Sequence, residues 1–83
     1  MNYKRDNSDL KKLGIMCREF RREHGILLRD IAFDLDYSIE TISAFELGKI
    51  NTSRVLLWYV VHGFDADYIS EFNKRGILQN GEV

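Results

Sequence analysis

The stretch Ile31-Ala32-Phe33-Asp34-Leu35-Asp36-Tyr37-Ser38-Ile39-Glu40-Thr41-Ile42-Ser43-Ala44-Phe45-Glu46-Leu47-Gly48-Lys49 decides how this chain folds. Its apolar residues at 31, 32 and 35 keep helical spacing, Ser38 supplies a helix N-cap, and Ile42 and Phe45 then resume the spacing. The pattern predicts a short helix, a tight turn and a second short helix that share one small core. Ile31, Leu35, Ile42 and Phe45 are expected to be almost fully buried in it. Two helices joined steeply by so short a turn need a small residue near the bend, and Ala32 stands there.

Working toward the N-terminus, Ser8 or Asp9 can cap a first helix that runs to about His24, with Gly25 as its stop. Leu10, Leu13, Cys17 and Phe20 recur at three- and four-residue intervals and face the core. Arg18, Glu19, Arg21, Arg22 and Glu23 are expected in solvent, with Arg18 to Arg22 forming a basic edge that is either a solvated face or a contact for phosphates. Cys17 lies on the core side and reads as a buried structural thiol. The second helix is expected from Leu27 or Leu28 to Asp36, and the third from Ile39 to Leu47.

Toward the C-terminus, Thr52 or Ser53 can cap a fourth helix over Arg54 to His62, ended by Gly63. The run Val55-Leu56-Leu57-Trp58-Tyr59-Val60-Val61 is apolar on every side and by itself is ambiguous between helix and strand. One helical face closes the core. The surplus face, with Trp58 on it, needs a cover from the following helix or from a second subunit. Asp65 caps a fifth helix through Arg75, with Tyr68, Ile69 and Phe72 on one side. The remaining segments read as a flexible arm over 1–7, packing by Ile77 and Leu78, and a disordered tail over 79–83.

Composition sets limits. Eighty-three residues, 45% of them hydrophobic, make one small domain with a modest core. One cysteine excludes an internal disulfide, and that usage suits a reducing cytoplasm. The longest apolar run is too short to span a bilayer, so no membrane association is expected. The net charge is −1, unusual for a chain that neutralises phosphates. Its distribution is uneven: residues 1–29 carry eight Lys/Arg against four Asp/Glu, and residues 30–83 carry four against nine. No glycine-rich phosphate loop is present, because the glycines are spread as helix stops. His24 and His62 fall near helix ends, where the dipole favours them, and neither has a second ligand or nucleophile spaced to join it. No enzyme activity, metal or cofactor is expected.

The residues Ala32, Leu35, Ser38, Thr41-Ile42-Ser43, Phe45, Glu46, Gly48-Lys49 and Asn51 together resemble the helix-turn-helix of the Cro and phage-repressor-like (XRE-type) family, over roughly residues 13 to 64. The resemblance implies an all-α, compact five-helix lambda-repressor-like domain over 8–78, with cytoplasmic location in a prokaryote or its phage. It implies a transcriptional regulator that binds double-stranded DNA as a homodimer through its third helix. The DNA-binding residues so implied are Ser38, Ile39, Glu40, Thr41, Ser43, Ala44, Lys49 and Asn51. The dimer interface is expected at Leu57, Trp58, Val61, Tyr68, Ile69 and Phe72.

The chain also departs from that family. Leu27-Leu28 stands where relatives carry a capping Ser or Thr and then a Gln, and Phe33 replaces a polar residue. No Arg, Lys, Asn or Gln occupies an outward position of the third helix, so base readout would be thin. Asp34, Asp36 and Glu40 would repel phosphates. These features point to a second reading, a protein-binding regulator that keeps the scaffold and uses Leu27, Leu28, Ile39 and Leu47 against another regulator or the transcription machinery.

Overall fold

The computed structural model describes residues 8–75. Within them lie five helices: α1 Ser8–Glu23, α2 Leu28–Leu35, α3 Ile39–Glu46, α4 Ser53–Val61 and α5 Ala66–Lys74. No strand occurs among the described residues, so the ambiguous run at 55–61 is helical. The expected arm at 1–7, the packing of Ile77 and Leu78, and the tail at 79–83 lie outside the described residues.

The helix boundaries follow from how the ends are closed. At the C-termini of α1, α2, α3 and α4 the same pair of backbone bonds recurs, one spanning six residues and one nested inside it. For α1 these are Ile26 N–H to Arg21 O (2.9 Å) and Gly25 N–H to Arg22 O (3.2 Å). For α4 they are Phe64 N–H to Tyr59 O (2.9 Å) and Gly63 N–H to Val60 O (3.1 Å). This closure needs one residue in the left-handed region. Glycine supplies it after α1, α3 and α4, but after α2 it is Asp36, at φ 59°. At the N-termini, the Ser38 side chain accepts from Thr41 N–H (3.2 Å), and the Asp65 side chain accepts from Tyr68 N–H (3.0 Å). Thr52 occupies the cap position of α4 but its side chain makes no capping bond.

The core is built where the amphipathic faces meet. Cys17 and Phe20 from α1, Ile31 and Ala32 from α2, Ile42 and Phe45 from α3, and Val55 and Tyr59 from α4 are all buried. Phe64, just past the end of α4, folds back into this cluster, with its ring edge-on to Phe20 at 6.0 Å. Leu35 differs from expectation: it packs against the core but is only half-buried, because it sits in the last turn of α2. Trp58 differs too. It is not surplus surface but is buried, and its indole N–H donates to Asp34 on α2 (2.9 Å).

Gly14 corrects the reading of every glycine as a stop. It lies in the middle of α1 and is buried, and a Cβ placed there would meet the backbone oxygen of Glu46 at 2.1 Å. Only glycine lets α1 cross α3 this closely.

Candidate nucleic-acid interface

The positions assigned to DNA contact cluster around α3 because its other side is held down. Ile42 and Phe45 enter the core, and with helical spacing this turns Ile39, Glu40, Ser43, Ala44 and Leu47 outward. Ile39 is 46% and Leu47 50% exposed, Glu40 is exposed, and Ser43 and Ala44 are half-buried. Ser38 is exposed, yet its hydroxyl is already engaged by the half-buried Thr41, with 2.9 Å between their oxygens. Both residues therefore shape the helix start more than they present free groups. Lys49 and Asn51 are exposed in the segment after α3.

The turn between α2 and α3 consists of Asp36, Tyr37 and Ser38. Asp36 supplies the left-handed bend, and Arg54 from α4 covers the Tyr37 ring at 5.1 Å. Leu27 cannot cap α2 with its side chain, but Asp30 accepts from Leu27 N–H (2.9 Å), which satisfies one exposed donor at that helix start. Of the acids around the turn, Asp34 is committed to Trp58, while Asp36 and Glu40 have no cationic partner among the described residues.

The anchor that fixes α3 is Glu46, the one charged residue buried among those described. Arg21 of α1 grips its carboxylate with two bonds, Nε to Oε2 (2.7 Å) and Nη2 to Oε1 (3.1 Å), and sends Nη1 to the carbonyl of Ile26 (3.0 Å). The hydroxyl of Tyr59 on α4 donates to Glu46 Oε2. One carboxylate thus ties three helices together, and its charge is paired and bonded, as a buried charge must be. The expectation that Arg21 is solvated is therefore corrected. Burial alone would lower the affinity of its guanidinium for a proton, but the bond and charge of Glu46 outweigh that and raise it. Burial first, and then the bond to Glu46, hold the Tyr59 phenol above its ordinary range. Burial pushes the Cys17 thiol up, and the charge of Glu46 adds to it.

The sequence contained a signal for this anchor. Gly14, Cys17 and Arg21 fall at i, i+3 and i+7, the same stripe of α1, so Arg21 shares the buried face.

The residues assigned to a dimer interface separate into two sets. Leu57 and Val61 are 60% and 70% exposed on the outer face of α4. Trp58 and Phe72 are buried within the chain, so they are corrected from interface to core. Tyr68 and Ile69 are half-buried and packed against the core, Tyr68 with its ring edge-on to Phe20 at 5.3 Å. Of the positions assigned to a protein partner, Leu28 packs on the core, while Leu27, Ile39 and Leu47 are exposed. Phe33, on α2, is exposed to 86%, more than any other large hydrophobic residue described.

Both histidines cap helices. His24 stacks on Phe20 with its Nδ1 against the Phe20 carbonyl (2.8 Å), and His62 repeats this on Trp58 (2.7 Å). Among the described residues no group of His, Cys, Asp and Glu has the arrangement of a metal site, and no helix is long and apolar enough to cross a membrane. No protein-family model, curated protein or solved structure matches this chain.

Proposed function

We propose that this chain is a helix-turn-helix transcriptional regulator that binds double-stranded DNA through α3. The observation that carries the reading is the pairing of α2 and α3 across Asp36–Ser38, with α3 anchored from behind by Arg21, Glu46 and Tyr59. That arrangement leaves one face of an eight-residue helix directed outward on a rigid support, with Lys49 and Asn51 exposed beside it. Phosphate contacts by Lys49 and Asn51 supply most of the affinity. Contacts from Ile39, Glu40, Ser43 and Ala44 to base edges supply a modest preference. Leu57 and Val61 join two copies through α4, so that two α3 helices enter successive major grooves about 34 Å apart. The lambda-repressor-like topology belongs to this proposal.

A second reading has its own support. Ile39, Leu47 and Leu27 are exposed apolar residues, and Asp36 and Glu40, around the start of α3, have no cationic partner among the described residues. Such a face suits a protein partner better than phosphates. Titration of labelled duplex DNA at about 50 mM salt, where electrostatic affinity is large, separates the two. DNA binding predicts that Lys49→Ala weakens all duplexes alike and flattens the salt dependence by about one unit of slope. Absence of binding, or binding that Lys49→Ala and Glu40→Gln both leave unchanged, refutes it and transfers the face to a protein partner.

A further inference from the structure

A groove of about 260 Å3 runs between α1 and the end of α3, where it meets the outward face of α3 at Leu47. It is lined by Lys11, Ile15, Arg18, Glu19, Glu46 and Leu47. Lys11, Ile15 and Arg18 fall at i, i+4 and i+7 of α1, so they form one stripe along the groove. Ile15 is 42% exposed and faces water across the groove from Leu47, although other apolar positions of α1 are turned into the core. Lys11 and Arg18 are exposed, and neither has an acidic partner among the described residues. The carboxylate of Glu46 is turned away, held by Arg21 and Tyr59, and Glu19 is the one acid left at the rim. The walls of the groove are held close together, because Gly14 brings α1 onto the Glu46 backbone and Gly48 brings the following turn onto Lys11.

We infer that this groove is a docking site for an acidic amphipathic helix of a protein partner. Apolar side chains on one face of that helix would cover Ile15 and Leu47, and acids flanking that face would meet Lys11 and Arg18. Charge complementarity selects the occupant. A basic segment would be repelled by Lys11 and Arg18, and an uncharged apolar one would leave them facing a dry surface. A phosphate backbone would satisfy the cations but leave Ile15 and Leu47 exposed, so the apolar strip favours protein over nucleic acid. Lys11, Ile15 and Arg18 lie on α1 and take no part in the DNA contacts proposed for α3, Lys49 and Asn51, whereas Leu47 is shared with the protein-partner reading of the α3 face.

The test uses the full chain and a synthetic helical peptide of about 15 residues, with leucines on one face flanked by glutamates. Binding is followed by fluorescence anisotropy of the labelled peptide. The expected result is saturable binding that weakens about tenfold or more in Ile15→Glu and in Arg18→Glu. Circular dichroism establishes that each variant is folded. Two altered peptides need no protein variant: lysines in place of glutamates should abolish binding, and serines in place of leucines should weaken it about tenfold or more. The inference is overturned if the parent peptide does not bind, or if the serine peptide binds equally well. It is also overturned if the folded variants bind normally, or if duplex DNA rather than peptide shows the dependence on Ile15 and Arg18.

Discussion

Replacing Arg21 by methionine keeps most of the length and the apolar stem of the side chain but removes both guanidinium bonds to Glu46. The two side chains are 12% and 5% exposed, so this is a buried pair and not a surface one. The carboxylate would be left with the Tyr59 hydroxyl alone, and the carbonyl of Ile26 would lose its donor as well. Breaking one partner of a buried pair costs about 3–5 kcal/mol, and water reaching the partly open Arg21 side places the loss near 3 kcal/mol. A domain of this size has a total stability of about 4–12 kcal/mol, so the change removes a large fraction of it. At roughly 4–8 °C per kcal/mol, the melting temperature should fall by about 12–24 °C. Urea unfolding followed by the fluorescence of Trp58 measures this directly, since that indole is the chain's only tryptophan and is buried against α2. Arg21→Lys should fall between, because an ammonium cannot make the paired contact. Tyr59→Phe and Arg21→Met should be non-additive, because both partners share one carboxylate. A loss in Arg21→Met of less than about 1 kcal/mol, the range of exposed pairs, would refute the role given to this cluster.

Gly14→Ala should destabilise by about 1–3 kcal/mol despite the better helix propensity of alanine, because its Cβ would meet the Glu46 backbone; a more stable variant by urea titration would contradict that close crossing. The parent chain should be dimeric at micromolar concentration, and Val61→Asp should leave it folded but give a monomer mass by sedimentation; an unchanged mass would remove α4 from the interface. Stability should decline as pH rises above about 9–10. The unfolded chain releases protons from Cys17 and Tyr59 at their ordinary values while the folded chain retains them, so the unfolded state binds fewer protons and is favoured. Tyr59→Phe should flatten that alkaline decline, and urea midpoints that do not change with pH would contradict it.

Much of the helical layout was legible because it rests on local chemistry. Ser38, Asp65 and the glycines at 25, 48 and 63 mark ends that the backbone requires, and the spacing of Cys17, Phe20, Ile31, Ile42 and Phe45 marks faces. Asp36 was not legible as a bend, because an aspartate adopts a left-handed conformation only where the surrounding closure demands it. The joining of Glu46, Arg21 and Tyr59 was hidden for another reason. The spacing of Gly14, Cys17 and Arg21 puts Arg21 on the buried stripe of α1, but only the meeting of three helices gives the buried charge of Glu46 its partners. Trp58 read as surplus because a run that is apolar on every side does not reveal which face its neighbours will cover, and Phe72 was assigned to the interface with Tyr68 and Ile69 although it is buried within the chain. Asp34 is what decided the matter for Trp58. At the candidate interface, the outward row of α3 came from the family resemblance, and that Ser38 and Thr41 satisfy each other is a matter of geometry alone.

Contact between α3 and DNA is read residue by residue from the amide chemical shifts of the isotopically labelled chain as duplex DNA is added at about 50 mM salt. If α3 lies in the major groove, shifts should concentrate at residues 38–44 and at Lys49 and Asn51, with the core positions Val55 and Tyr59 undisturbed. A spectrum unchanged by DNA, or shifts confined to α1 or to the outer face of α4, would contradict that placement.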